Sequence, residues 1–326
     1  MGRRVTIYDI AKEAGTSTST VSRVLNGSSL VTLETSAAVR SAASRLGYAA
    51  RRIRRHATRT VLHVVVFIPN ARDPVSHLFY DAAVLFNGIR NGFGDVRAHL
   101  IVSINGSTES LNAKTLGDID GCLFAFASPP PAVRNMLEER SIPTVVINRV
   151  DGRFSSVVND AGSGMRALLV EVAKRRPSDQ VCFLSARDAG PVAEYRASAI
   201  QEAGRTMRRM PGVRWFPTVV DITPDVVDAL CSDGYRTFMC VNDFVAAAVY
   251  ERLLQLGLRV PEDVGITGYD AAPVRGLLSR TLTTVDLCVP RLGQEASRLL
   301  VPMIMERQPE VTERVVTGGL VRGDTL

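Results

Sequence analysis

Residues 5–26 read Val5-Thr-Ile-Tyr-Asp-Ile-Ala-Lys-Glu-Ala-Gly15-Thr-Ser-Thr-Ser-Thr-Val-Ser-Arg-Val-Leu-Asn26, and this stretch decides the N-terminal architecture. Thr6 is placed to cap a helix, with Asp9 three residues on in a capping-box position. Ile7, Ile10, Ala11 and Ala14 then follow helical spacing up to Gly15, a residue suited to the left-handed stop. After a tight turn, Thr18–Leu25 puts Val21, Val24 and Leu25 on one face, and Asn26-Gly27 ends it. A third helix is predicted over roughly 33–46, burying Val39, Ala43 and Leu46. Two short helices joined at Gly15, with the small Ala11 where they cross, form a helix-turn-helix. The first turn of its second helix faces outward and would meet base edges. An ordinary three-helix unit with a solvated basic face is the plain alternative.

Charge favours the DNA reading. Residues 1–60 carry 11 lysines and arginines against three acids, while the remainder carries 28 against 30. The N-terminal segment is thus about +8 and the rest about −2, a polyanion-binding module on a near-neutral body. Five arginines fall within residues 49–60, which hold little that could form a core. We read 1–48 as the headpiece, 49–60 as an arginine-rich hinge and 61–326 as the body.

From Val61 the texture changes to short apolar runs separated by helical stretches. Leu62–Ile68, Leu100–Ile104, Gly121–Phe126, Thr144–Ile147, Val181–Leu184, Thr237–Val241 and Val264–Thr267 read as buried parallel strands. Such alternation predicts an α/β body of two lobes, with ligands at the carboxyl ends of the strands. The five cysteines show no CxxC spacing, and His56, His63, His77 and His99 are scattered. No phosphate loop, nucleophile elbow or metal cluster stands out, so neither an enzyme nor a cofactor or metal is expected. The N-terminus carries no apolar leader and no run approaches 18 apolar residues, which predicts a cytoplasmic, nucleoid-associated protein without a membrane span.

The quoted stretch closely resembles the headpiece of the LacI/GalR family of repressors. The likeness continues more weakly through Val-Ile-Asn-Arg149, Asn-Asp160, Arg196, Val-Asn-Asp243, Gly-Tyr-Asp270 and Val-Arg-Gly-Asp324. It implies an all-α helix-turn-helix headpiece on a two-lobed α/β body, like periplasmic binding proteins, with parallel sheets. It also implies that Thr18 and Ser19 occupy the variable base-reading positions and that Arg23 contacts a base. A bidentate arginine–guanine pair discriminates by ~1–3 kcal/mol. Tyr8, Ser17, Thr20, Ser22 and Asn26 match phosphate-positioning residues. In the hinge, Ala57 stands where relatives place a leucine that wedges into the minor groove. Arg51, Arg52, Arg54 and Arg55 are expected to compensate through minor-groove and phosphate contacts, making binding steeply salt-dependent.

The resemblance further implies an effector between the lobes, a sugar or other small metabolite, at Asp73, Val75, Ser76, Asn148, Arg149, Arg196, Ile222, Asn242 and Asp270. Val75 and Ser76 stand where relatives often carry aromatics, and Ile222 replaces an aromatic that stacks on the ligand. Asn242-Asp243 is open to a second reading, as the cap of the following helix. Arg149 is equally open to pairing with a nearby acid. The expected partners are double-stranded DNA at a pseudo-palindromic operator, a small-molecule effector and a second copy of the chain as a homodimer. The competing function is a DNA-binding regulator that has lost small-molecule response and uses its body only for dimerisation or protein partners.

Overall fold

A computed structural model describes residues 6–25, 31–46, 61–68, 80–104, 119–306 and 310–326; the side chains of Ser22, Leu33, Ile104 and Asp188 fall outside that description. The chain divides into two units, Met1–Arg59 and Thr60–Leu326.

In the first unit, α1 (Ile7–Glu13), α2 (Thr18–Leu25) and α3 (Leu33–Arg45) enclose Ile10, Ala11, Val21, Val24, Val39, Ala42 and Ala43. Asp9 reaches back from α1 so that its carboxylate accepts both the Thr6 N–H (2.8 Å) and the Thr6 hydroxyl (2.7 Å). Gly15 sits at φ +61°, where a side chain would be strained, and so turns the chain from α1 into α2. Thr32 caps α3 by accepting the Thr35 N–H.

The second unit has two lobes. The first is built from β1 (Leu62–Ile68), α4 (Ala82–Gly92), β2 (Ala98–Ile104), β3 (Gly121–Ala125), α5 (Pro131–Glu139), β4 (Thr144–Ile147) and β5 (Ser155–Asn159). The chain then crosses into the second lobe: α6 (Ala161–Arg175), β6 (Gln180–Ala186), α7 (Pro191–Met207), β7 (Gly212–Phe216), α8 (Pro224–Ser232), β8 (Tyr235–Cys240), α9 (Asp243–Gln255) and β9 (Gly265–Thr267). After β10 (Thr284–Val285) it returns to the first lobe as α10 (Val289–Met305) and β11 (Glu313–Val316), and it crosses a third time to β12 (Leu320–Val321). The first lobe's sheet is parallel throughout, in the order β11-β5-β4-β3-β1-β2, and the second's is parallel in the order β7-β6-β8-β9.

Strands buried on both faces explain why β1 and β4 read as uninterrupted apolar runs. β5 gives no strand signal in the sequence because Ser155 and Ser156 break the apolar pattern, although both are buried. β7 is only half-buried and mixes Arg214 with Trp215, so neither period shows. In the first lobe α4 lies against α10 with almost no gap. A Cβ on Gly88 would come within 2.1 Å of the Pro290 carbonyl oxygen, and one on Gly92 within 2.2 Å of the Gln294 oxygen. Those glycines set how closely the helices approach.

Candidate functional site

Two surfaces concern function. On the headpiece, Ser17 precedes α2 and its Oγ accepts the Thr20 N–H at 3.1 Å, while sharing hydrogen bonds with the Ser19 and Thr20 hydroxyls at 2.7 and 2.8 Å. Capping points the start of α2 and its row of hydroxyls outward. Ser17, Ser19 and Arg23 are exposed, Thr18 and Thr20 half-exposed, and Tyr8 on α1 is 72 % exposed. A tyrosine that open has no packing role, which fits the side chain for a partner. The apolar face of α2 turns inward through Val21 and Val24, so core and reading face separate cleanly along one helix. Asn26 and the hinge positions Arg51, Arg52, Arg54, Arg55 and Ala57 lie outside the described residues, as does the side chain of Ser22.

The second surface lies between the lobes, at the carboxyl ends of the strands. Arg196 projects from α7 and is 1 % exposed. Its Nη1 donates to the Val241 carbonyl at 2.7 Å and its Nη2 to Asp270 Oδ1 at 2.5 Å. Its guanidinium stacks 4.0 Å above the Tyr269 ring, a cation–π contact that fixes the plane of the fork. Asp270 and Ala271 take φ values of +106° and +50°, a strained turn in non-glycine residues. Asp243 braces it: its Oδ2 accepts the Ala272 N–H at 2.7 Å and its Oδ1 the Thr284 hydroxyl at 2.6 Å. Burial raises the Asp243 carboxyl to about 7, with the Asp270 charge adding and the hydrogen bonds opposing. Burial likewise raises Asp270, against the pull of Arg196 and Arg149.

The first lobe contributes Asn148 and Arg149, immediately after β4. Asn148 is at φ +55°, and its Oδ1 accepts the Asn159 N–H at 3.4 Å. Arg149 is half-buried, with Nη1 donating to the Asn148 carbonyl at 2.7 Å. Burial lowers its pKa and so does the neighbouring Arg196 charge, while Asp270 opposes both. The loop that presents Arg149 is fastened to α5 by Arg134–Asp151 (2.9 Å) and Arg153–Glu138 (3.0 Å). Arg149, Arg196 and Asp270, from both lobes, are therefore brought within electrostatic range of one another. Of the seven non-glycine residues with positive φ among the described residues, Phe126, Asn148, Asp270, Ala271 and Cys288 follow the carboxyl ends of strands. Strain thus concentrates along the edge where a ligand would sit.

One position differs from expectation. Ile222 has no exposed surface and packs in the second lobe's core, its carbonyl accepting from Arg252 Nε at 2.8 Å. An aliphatic side chain buried there has no face to offer a ligand. Asn242 caps α9, its Oδ1 accepting the Val245 N–H at 2.8 Å. Asp73, Val75 and Ser76 lie outside the described residues. From sequence, Asn159 and Tyr269 carry no role and Asp243 reads only as part of a helix cap. Asn159 Oδ1 accepts the Tyr269 hydroxyl at 2.7 Å, and its Nδ2 donates to the Leu287 and Val316 carbonyls at 3.4 Å each. One side chain thereby ties all three interlobe crossings. A separate cavity of about 440 Å³ opens at the amino ends of the second lobe's strands, but its Arg209 is engaged by the Arg176 and Asp179 carbonyls.

Residues 6–50 match the model of bacterial regulatory proteins of the lacI family, and residues 164–326 match the periplasmic binding protein-like domain. The chain is 30 % identical to the HTH-type transcriptional regulator CelR of Thermobifida fusca, over 96 % of each chain. The chain belongs to the LacI family. A second relative, the HTH-type transcriptional repressor PurR of Pectobacterium atrosepticum, is 27 % identical over 94 % of this chain and 92 % of the relative. The fold is shared with a CelR–cellobiose complex (TM-score 0.70, 22 % identity, 99 % and 100 % coverage). It is shared too with a lac repressor dimer bound to operator and the anti-inducer ONPF (TM-score 0.65, 19 % identity, 99 % of each chain). This LacI-family member is a DNA-binding regulator of transcription, placed by its relatives among regulators rather than enzymes. Among the described residues, no helix is long and apolar enough to cross a membrane, and no cluster of His, Cys, Asp and Glu forms a metal site.

Proposed function

We propose that the chain is a repressor that binds a pseudo-palindromic operator as a homodimer in the bacterial cytoplasm, on the nucleoid, and releases or grips it according to a small molecule held between the lobes. Residues 1–48 read the half-site, 49–60 act as the hinge, and 61–326 bind effector and dimerise. The convergence of Arg149 with the Arg196–Asp270 pair across the cleft carries the effector half of this reading. A body serving only to dimerise has no use for cations desolvated between two lobes. The outward hydroxyls of α2, with Arg23 exposed on the same helix, carry the DNA half. Phosphate contacts position the headpiece, and Arg23 with Thr18 and Ser19 supplies sequence.

The test is selection of bound fragments from the genome by the full chain, followed by affinity measurement on the recovered site. Arg23→Gln should weaken the recovered operator by roughly ten- to a hundredfold, the equivalent of ~1–3 kcal/mol, and leave binding to random DNA nearly unchanged. An equal loss on both DNAs would assign Arg23 to phosphate rather than to a base.

A further inference from the structure

The chemical class of the effector follows from the charges that face the cleft, and this inference rests on the reading of the cleft as the effector site. Among the described residues two guanidiniums, Arg149 and Arg196, act on one carboxylate, Asp270. Asp243 feels the Asp270 charge, but both its oxygens are committed to Ala272 and Thr284. Asp160 caps α6 by accepting the Ser163 N–H. Residue 148, beside Arg149, is an asparagine and brings no charge.

Among the described residues that carboxylate is already taken. Asp270 binds Arg196, so Arg149 is left with the Asn148 carbonyl and no ion-pair partner among the described residues. Arg196 itself is almost wholly buried, and its Nε finds no acceptor. A desolvated guanidinium without a counter-ion is costly, and its planar fork matches the paired oxygens of a carboxylate or phosphate. Burial and Arg196 both act against the charge on Arg149, so an arriving anion relieves a strain that a neutral ligand leaves in place. Ile222 in the core supplies no stacking surface for a sugar ring.

We propose that the effector is an anion, a small metabolite whose carboxylate or phosphate group is received by Arg149 while the Arg196–Asp270 pair takes hydroxyl groups beside it.

The experiment uses the full chain, with acetate and inorganic phosphate as probes titrated against chloride at constant ionic strength. Thermal midpoints and calorimetric binding are recorded for the wild type, Arg149→Gln, Arg149→Lys and Asn148→Asp. The wild type should bind at least one probe, and which one identifies the carboxylate or the phosphate as the group received. Arg149→Gln should weaken that binding by about tenfold or more. Arg149→Lys should keep part of it, and Asn148→Asp, which gives Arg149 an internal counter-ion, should remove it with the fold intact. General stabilisation by salts acts on all four proteins alike, so equal responses across them overturn the proposal, as does a wild type that binds neither probe. A neutral sugar that shifts operator affinity equally in the wild type and Arg149→Gln would overturn the anion and leave the regulator reading standing. Binding of the anion through Arg149 with no change in operator affinity would keep the anion site and sink the effector reading.

Discussion

Asp243 shows how one buried side chain links the cleft to pH. It is fully buried, it braces the strained Asp270–Ala271 turn, and its carboxyl is raised from the ordinary 3.8 to about 7. The unfolded chain gives up this proton in the ordinary carboxylate range, whereas the folded lobe keeps it until about pH 7. Between those limits the folded state binds the extra proton, so the group favours folding fully at low pH. That contribution declines as pH rises through the window and stays at its lower level above it. Asp243→Asn removes the titration while keeping an acceptor for the Ala272 N–H. The melting midpoint of the wild type should therefore exceed that of the variant most at pH 5, and the gap should narrow or reverse by pH 8. A gap that holds constant across this range would show that Asp243 does not titrate there.

At the scale of elements, the headpiece core comprises, among the described residues, seven buried apolar side chains shared by α1, α2 and α3. So small a core leaves little margin. Ile10 is completely buried between the helices, and its truncation to alanine should cost about 2–5 kcal/mol. Such a loss is comparable to the whole stability of a unit this size. Ile10→Ala should abolish operator binding while the calorimetric transition of the Thr60–Leu326 unit stays in place, because the two units have separate cores. A shift of both transitions together would mean that the units unfold as one. The turn that orients α2 needs less: Gly15 faces open space, so its requirement is the positive φ alone. That is why this glycine was legible from the sequence, whereas the demand on Gly88 arises only when α10 arrives some 200 residues later in the chain.

For the whole molecule, the hydrogen bond from the Tyr269 hydroxyl to Asn159 Oδ1 joins one lobe to the other. Tyr269→Phe leaves that acceptor buried without its donor and should destabilise the body by about 1–3 kcal/mol. If the join also sets lobe closure, the variant's effector-dependent change in operator affinity should shrink; unchanged stability and coupling would show that the contact carries neither. The sequence by itself determined the headpiece and the class of the body. Helix caps, turn glycines and apolar periodicity act within a few residues, and strands buried on both faces announce themselves as apolar runs. The family resemblance then pointed to Asn148, Arg149, Arg196 and Asp270 as neighbours. Only the tertiary structure decided how those residues share their bonds: that Arg196 and Asp270 pair with each other, that Ile222 belongs to the core, that Asn242 caps α9, and that Asn159 ties the crossings. The partners in these contacts lie up to 157 residues apart, so no local pattern encodes them. Which donor is satisfied and which charge is left open is settled where chain segments meet, and Arg149 is left open there.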